Sequence, residues 1–174
     1  MGLRAAAVDP RLVSSFWRGK RVLVTGHSGF KGSWLCLWLA SLGAEPVGFS
    51  DGSPTDPALF DLSGMRTQMR SIAGDVRDPE AVLRVVEQER PEVVFHMAAQ
   101  ALVRRSLASP ALTYEVNAMG TVNVLEAVRQ TSDVRVFVNV TPSGYGRPPR
   151  GERRPNPVER DLLQPHELAR ESER

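Results

Sequence analysis

Apolar residues follow two patterns that alternate along the chain. Five short runs are almost continuously apolar, which is typical of strands buried on both faces of a parallel sheet. These predicted strands are residues 21–25, 45–50, 71–74, 92–96 and 134–140. Between them, apolar residues recur at helical spacing, which indicates helices that cover the sheet. The predicted helices are residues 28–42, 79–89 and 112–130.

The alternation of strands and helices predicts an α/β fold of the Rossmann type. We expect a doubly wound parallel sheet of about five strands in the order 3-2-1-4-5. Residues 51–65 are rich in glycine, proline, serine and aspartate and are predicted to form a loop. Trp34 and Trp38 stand four residues apart on one helix face, and we expect them to pack against the sheet.

The composition changes after residue 141. Residues 142–174 contain six prolines and seven arginines, with too little apolar surface to offset the entropy cost of folding. We therefore divide the chain into an N-terminal extension (1–15), a Rossmann domain (16–141) and an arginine- and proline-rich tail (142–174). The tail is predicted to be disordered.

Charge and composition narrow the functional classes. The formal net charge is +2 and no basic run is interleaved with aromatic residues, so nucleic acid is not an expected partner. Cys36 is the single cysteine, which excludes an intramolecular disulfide, and no metal site is expected. The chain start lacks a signal-peptide core, and the longest nearly uncharged segment, 32–43, is too short to cross a bilayer. We expect a cytoplasmic protein with no membrane partner.

Three glycines separate the first predicted strand from the first predicted helix. Gly26, Gly29 and Gly32 have the order of a dinucleotide-binding loop, although the first pair is one residue further apart than in the commonest form. In such a loop the first glycine permits the turn, the second lets the backbone approach a pyrophosphate, and the third lets the helix pack on the strand. The pyrophosphate binds at the helix N-terminus. A tight turn without a ligand is the alternative.

Two aspartates are candidates for other parts of the same nucleotide. Asp51 follows the second predicted strand, where a carboxylate accepts hydrogen bonds from a ribose and repels the extra phosphate of NADP. The alternative for Asp51 is a loop cap. Asp75 follows the third strand, where it either accepts a hydrogen bond from an adenine amino group or caps the helix that starts near Pro79.

Other polar residues have more than one interpretation. His27 either contacts a phosphate or is a polar turn residue, and His96 is expected to be a core histidine with a backbone partner. Arg104 and Arg105 either contact the phosphates of a substrate or are solvated.

Five motifs together resemble one enzyme family. They are GHSGFKGSWL at 26–35, SPTDPALFD at 53–61, GDVRD at 74–78, HMAAQALVRRS at 96–106 and NAMGTVNVLEAVR at 117–129. They resemble the CDP-glucose 4,6-dehydratases, lyases of the extended short-chain dehydrogenase/reductase type in the NAD-dependent epimerase/dehydratase superfamily. The resemblance covers residues 16–141. It implies NAD as the cofactor, the nucleotide sugar CDP-glucose as the substrate, and a homodimer as a possible assembly.

The resemblance also assigns roles to single residues. It implies that the pyrophosphate of NAD is wrapped by residues 25–32, that is Thr25 and the loop of Gly26, His27, Ser28, Gly29, Phe30, Lys31 and Gly32. The adenine and the remainder of the cofactor are contacted by Asp75, Val76, Ala98, Ala99 and Gln100. Asn117 braces the active site.

Enzymes of this kind oxidise C4 of the glucose by hydride transfer to NAD. They eliminate water across C5 and C6 and return the hydride to C6, which regenerates the cofactor. The product is CDP-4-keto-6-deoxyglucose, an intermediate of deoxysugar and O-antigen synthesis.

The resemblance ends at Thr141, which matches a catalytic residue of the family. Pro142, Ser143 and Gly144 replace the Ser-Asp-Lys that follows in the family, and the sequence contains no Tyr-x-x-x-Lys pair. We therefore expect the chain to be inactive alone and to derive from a truncated or frameshifted reading frame rather than from a divergent protein with a new tail. The alternatives are another nucleotide-sugar epimerase or dehydratase, and a non-catalytic nucleotide-binding protein.

Overall fold

A computed structural model describes residues 10–140 of the chain, with side chains from residue 14 onward. Thr141, the predicted tail and residues 1–9 lie outside the described residues. No helix within the described part combines the length and the apolar character that a membrane span requires.

The sheet has five parallel strands, each close to its predicted position. They are β1 (Arg21–Thr25), β2 (Glu45–Ser50), β3 (Arg70–Ala73), β4 (Val93–His96) and β5 (Val136–Asn139). Their order is β3-β2-β1-β4-β5, which confirms the predicted Rossmann-type topology. The strand order reverses between β1 and β4, and in such folds ligands bind beyond the carboxyl ends of the strands at this point. Thr25 is paired there with both Phe49 and His96.

The described residues form eight helices, of which the longest three, 30–41, 79–89 and 120–130, cover the two faces of the sheet. They are α1 (Pro10–Trp17), α2 (Phe30–Ser41), α3 (Leu59–Leu62), α4 (Met65–Gln68), α5 (Pro79–Glu89), α6 (Val103–Ala108), α7 (Pro110–Tyr114) and α8 (Gly120–Gln130). A π turn, Glu115–Met119, joins α7 to α8. α5 has its predicted bounds because Asp78 caps it and Pro79 occupies its first position.

Adjacent residues of β1 belong to two different apolar layers. Leu23 packs in a layer with residues of α5 and α8, whereas Val22 and Val24 pack in a layer with residues of α2. Because both faces of the sheet are covered, the central strands are apolar without alternation. The carboxyl ends of β1, β2 and β4 are thereby held in fixed register.

The face of α2 that packs on the sheet differs from the prediction. Trp34 and Trp38 are 55% and 58% exposed, so the expectation that they pack against the sheet is wrong. Gly32, Cys36 and Leu39 are buried instead. Small residues on this face let the helix approach the sheet closely, whereas two indole rings would hold it away.

The segment predicted to be a loop, residues 51–65, includes α3 and the start of α4. Phe60 and Met65 are buried in the layer that contains α2, and they anchor the segment. Its glycines, prolines and aspartates form the connections between these anchors. The short helices α1 and α6 were not predicted either; α6 has six residues, none of them buried.

Candidate functional site

The turn after β1 requires glycine at its first position. Gly26 has a φ of +70°, in the left-handed region, and its N–H donates to the carbonyl of Phe49 at 2.8 Å. A Cβ on Gly26 would lie 2.8 Å from the backbone nitrogen of Ala98. The turn is therefore in close backbone contact with the segment that follows β4.

The other two glycines of the loop have different surroundings. A Cβ on Gly32 would lie 2.2 Å from the carbonyl oxygen of Gly26, so this glycine lets the first turn of α2 pack on the loop. A Cβ on Gly29 would meet only that same oxygen, at 3.3 Å, within 4 Å. Packing among the described residues thus accounts for Gly26 and Gly32, while Gly29 leaves room beside the start of α2.

The N-terminus of α2 presents unpaired backbone donors. The first intrahelical bond runs from the N–H of Ser33 to the carbonyl of Gly29, at 2.8 Å. The preceding N–H groups, from Phe30 to Gly32, have no partner within the helix. Gly29 occupies the N-cap position, and no described side chain caps the helix there. Phe30 and Lys31 are exposed. These donors and the helix dipole favour an anion at this position.

Ser28 ties the glycine loop to the end of β2. Its buried hydroxyl lies 2.8 Å from the Ser50 hydroxyl and donates to the carbonyl of Gly52. Asp51 lies between these two partners and is exposed. Its carboxylate makes no hydrogen bond or ion pair with any described residue, so the loop-cap interpretation has no supporting contact and the carboxylate is open to a ligand.

The side chain of His27 occupies the core rather than the loop surface. Its Nε2 is 2.8 Å from the Ser71 hydroxyl, and its ring meets Phe60 edge to face with the centroids 4.8 Å apart. The ring fills the space beside Gly48, where a Cβ would lie 2.2 Å from it. Burial lowers the pKa of His27. A phosphate in the loop would therefore meet the backbone of this residue and not its imidazole.

Asp75 does not cap α5, so that interpretation is wrong. The cap is Asp78, whose Oδ1 accepts hydrogen bonds from the N–H groups of Glu80 and Ala81, each at 3.0 Å. Asp75 instead accepts from Arg77, through the backbone N–H at 2.9 Å and through Nε at 2.8 Å. These hydrogen bonds from Arg77 hold the pKa of Asp75 below its ordinary value. Asp75 is thus ionised and oriented at the exit of β3.

Val76 lies beside Asp75 but faces inward. Its side chain is buried, and a Cβ on Gly120 would lie 2.7 Å from its Cγ2. Its carbonyl accepts a hydrogen bond from Nδ2 of Asn123 at 2.9 Å. Val76 therefore fixes the exit of β3 against the first turn of α8.

The segment after β4 is held from two sides. The hydroxyl of Thr25 accepts hydrogen bonds from the N–H groups of Met97 and Ala98, at 3.1 and 3.2 Å. The side-chain amide of Asn117 accepts from the N–H of Gln100 at 2.7 Å and donates to its carbonyl at 3.1 Å. Asn117 lies in the π turn, a feature that is common at functional sites. Ala99, between these anchors, is exposed.

His96 is a core histidine, as expected, but its partners are hydroxyls. Nδ1 lies 2.7 Å from Oγ1 of Thr25, and Nε2 lies 3.0 Å from Oγ1 of Thr121. Burial lowers the pKa of His96 to about 4. Thr25 was expected only as the start of the pyrophosphate loop, and Thr121 was not among the predicted site residues, although its position four residues after Asn117 was an available signal.

The candidate substrate residue lies apart from these contacts. Arg104 is on α6 and exposed, and it forms no ion pair with a described residue. Thr141 lies outside the described residues. The residues predicted for a dinucleotide, by contrast, lie at the carboxyl edge of β1, β2, β3 and β4.

Comparison with known proteins yields a consistent set of relatives. The sequence model of the GDP-mannose 4,6 dehydratase family matches residues 23–167, which continues past Thr141. A CDP-glucose 4,6-dehydratase of Salmonella typhimurium is 50% identical over 127 residues, covering 73% of this chain and 35% of that protein. A CDP-paratose 2-epimerase of Salmonella typhi is 34% identical over 130 residues, covering 72% of this chain and 38% of that protein.

Solved structures agree with this result. The Thermus thermophilus UDP-glucose 4-epimerase, solved in complex with NAD, has a TM-score of 0.65 and 36% identity, covering 78% of this chain and 42% of that chain. The chain spans little more than a third of the length of these two curated relatives. The resemblance to the CDP-glucose 4,6-dehydratases is confirmed, and the chain belongs to the GDP-mannose 4,6 dehydratase family.

Proposed function

We propose that the described residues form the NAD-binding portion of a CDP-glucose 4,6-dehydratase. The 50% identity to the Salmonella typhimurium enzyme of that name carries this proposal, because it exceeds the 34% identity to the CDP-paratose epimerase over a similar length. The open N-terminus of α2 beside Gly29 supports the same cofactor. Cytoplasmic location, CDP-glucose as substrate and a homodimeric state belong to this proposal for the whole protein.

The residues present fit NAD along its length. The N–H groups of Phe30, Lys31 and Gly32 would hold the pyrophosphate, together with the backbone of His27 and Ser28. The unpaired carboxylate of Asp51 would accept hydrogen bonds from the adenosine ribose, and its negative charge would disfavour the additional phosphate of NADP.

The adenine and nicotinamide ends have candidate contacts on either side of this loop. Asp75, oriented by Arg77, would accept a hydrogen bond from the adenine amino group, with Val76 beside it. Ala98, Ala99 and Gln100 would line the remainder of the cofactor. When bound, NAD supplies the acceptor and donor of hydride for the dehydration of a nucleotide sugar.

The chain's own contribution to the chemistry is orientation. Asn117 fixes the backbone of Gln100, and we propose that it thereby braces the reacting end of the site. Arg104 is proposed to reach the phosphates of the nucleotide sugar. A general acid or base from a Tyr-x-x-x-Lys pair is absent from the 174-residue sequence, so we propose that these residues bind NAD without turning over CDP-glucose.

We propose the domain division of the chain on the same grounds. Residues 16–141 would be the NAD-binding domain, preceded by a short extension and followed by a segment of different composition.

Two assays run in parallel test the proposed function. NAD is titrated into the purified chain in a calorimeter, and the formation of a 4-keto-6-deoxy sugar from CDP-glucose is measured on the same sample. We expect saturable binding of NAD without product. Product formation would refute the proposal that the chain does not turn over CDP-glucose. A folded chain that does not bind NAD would refute the cofactor site.

A further inference from the structure

We infer that His96 is a positioning residue: as the neutral Nε2–H tautomer, it connects the end of β1 to Asn117 through two threonine hydroxyls. The inference concerns the part of the site that holds Gln100, and its functional consequence rests on the proposed NAD site. The hydrogen-bonding capacity of each group decides the tautomer.

The hydroxyl of Thr25 fixes the role of Nδ1. This oxygen has two lone pairs and one hydrogen; it accepts from the N–H of Ala98 at 3.2 Å and from the N–H of Met97 at 3.1 Å, which Met97 shares with the backbone carbonyl of Thr25 at 3.2 Å. Its remaining contact is Nδ1 of His96 at 2.7 Å. The hydroxyl must therefore donate to Nδ1, which has to be unprotonated. A proton on Nδ1 would compete with the N–H groups of Met97 and Ala98 for this oxygen and would leave the hydroxyl hydrogen without an acceptor among the described residues.

The other ring nitrogen is consequently the protonated one. Nε2 donates to Oγ1 of Thr121 at 3.0 Å, and that hydroxyl donates to the carbonyl of Asn117 at 2.7 Å. The Thr25 hydroxyl, Nε2–H and the Thr121 hydroxyl then each have an acceptor. The series links three elements that meet at the site: β1, β4 and the helix that contains the π turn.

This series of hydrogen bonds ends at Asn117, the residue that holds Gln100. Asn117 binds both backbone groups of Gln100 through its side chain, while its own carbonyl is held by Thr121. His96 touches neither of these residues and acts on them through Thr121. Loss of the Thr121 hydroxyl would release the carbonyl of Asn117 and leave the Nε2–H group of a buried ring without its acceptor.

Nitrogen NMR of the full 174-residue chain tests the tautomer directly. Long-range proton–nitrogen spectra at pH 7 distinguish protonated from unprotonated ring nitrogens, and the signals lost in His96→Gln assign the ring. We expect Nε2 protonated and Nδ1 unprotonated in the wild type and in Thr25→Ser, and a mixture of tautomers in Thr25→Val. A wild-type ring protonated on Nδ1 would overturn the inference.

Amide exchange tests the positioning role without a cofactor. The N–H of Gln100 should exchange about 2- to 10-fold faster in Thr121→Val than in the wild type, and Thr121→Ser should restore slow exchange, since one hydrogen bond is lost and regained. Equal exchange in the valine and serine variants would overturn the positioning role. The affinity for NAD should change in parallel: Thr121→Val should bind NAD more weakly than the wild type, and Thr121→Ser should bind it about as well as the wild type.

The two proposals fail in different ways. If the wild type does not bind NAD but His96 has the expected tautomer and Thr121→Val releases Gln100, the cofactor site is refuted and the positioning role stands. If NAD binds with equal affinity to all variants and the exchange rates are unchanged, the positioning role is refuted and the cofactor site stands.

Discussion

Among single residues, the three glycines of the loop after β1 have different physical reasons to be glycine. Gly26 has the left-handed backbone, and Gly32 lies in contact with the carbonyl of Gly26. Gly29 has a φ of −72° that any residue adopts, and a Cβ there would meet one atom within 4 Å, the carbonyl oxygen of Gly26 at 3.3 Å. The fold thus restricts Gly29 less than the other two, and we propose that a ligand accounts for the glycine at this position.

Alanine substitutions should separate these reasons. Gly29→Ala should leave the free energy of unfolding nearly unchanged and weaken NAD binding by about tenfold or more, because the methyl group lies beside the pyrophosphate position. Gly32→Ala should lower the free energy of unfolding by about 1–3 kcal/mol, because its Cβ overlaps a carbonyl oxygen. Urea unfolding and NAD titration measure both effects. Equal destabilisation by the two variants would contradict this distinction.

Asp51 should determine the choice between NAD and NADP. Asp51→Asn removes the charge but keeps the size, so it should weaken NAD binding by about 3- to 10-fold and reduce the preference over NADP. Its unfolding free energy should not change, since the carboxylate is exposed and unpaired among the described residues. Titration of both dinucleotides measures the preference. An unchanged preference in Asp51→Asn would exclude this role.

The buried histidines should make stability depend on pH. The pKa of His96 is about 4 in the folded chain and about 6.5 in an unfolded one, so between these values the unfolded state binds more protons. The contribution of neutral His96 to the free energy of unfolding is therefore fully present above about pH 6.5. It falls by about 3 kcal/mol as the pH drops to about 4. His27 adds a loss of the same sign.

Urea unfolding between pH 7 and pH 5 measures this slope. In this range carboxylates such as Asp75, whose pKa is lowered, contribute little change. The slope should be smaller in His96→Asn. A wild-type stability that is constant over the range would contradict the burial of neutral histidines.

Among the elements, α5 has the start that the sequence marks most clearly. Asp78→Ala should lower the free energy of unfolding by about 1 kcal/mol, because two N–H groups at the start of α5 lose their acceptor. Asp78→Asn should retain most of the stability, since asparagine is an equally good cap. Urea unfolding compares the two variants. A similar loss in both would indicate that the charge, and not the cap, is responsible.

The three central strands β1, β2 and β4 were predictable because they are buried on both faces and therefore almost continuously apolar, whereas the edge strands β3 and β5 are largely exposed. The packing face of α2 could not be predicted, because this helix is apolar nearly all around and the spacing of its apolar residues does not select one side. The glycine, serine and cysteine at positions 32, 33 and 36 decide it, because they allow close approach to the sheet. Tertiary packing thus overrides the size of the tryptophans.

The site was predictable where local sequence fixes it. The order of strand, glycine loop and helix was predicted correctly, because all three lie within one short segment. The position of His27 could not be read from the sequence, because the space beside Gly48 exists only when β2 pairs with β1. The partners of His96 likewise come from β1 and α8.

In the whole molecule, the residues proposed for the cofactor converge on one edge of the sheet. This edge includes the turn after β1, the ends of β2 and β3 and the segment after β4. The residue pair that the family resemblance implies for acid–base chemistry has no counterpart in the sequence. We therefore propose that this chain binds the cofactor without turning over a substrate.

Calorimetric titration of NAD into the wild-type chain and into Gly29→Ala tests the central claim most directly. Circular dichroism first confirms that both proteins are folded. We predict saturable binding of one NAD per chain in the wild type and binding weakened about tenfold or more in Gly29→Ala. A folded wild-type chain that does not bind NAD, or an alanine variant that binds it equally well, would contradict the proposed cofactor site.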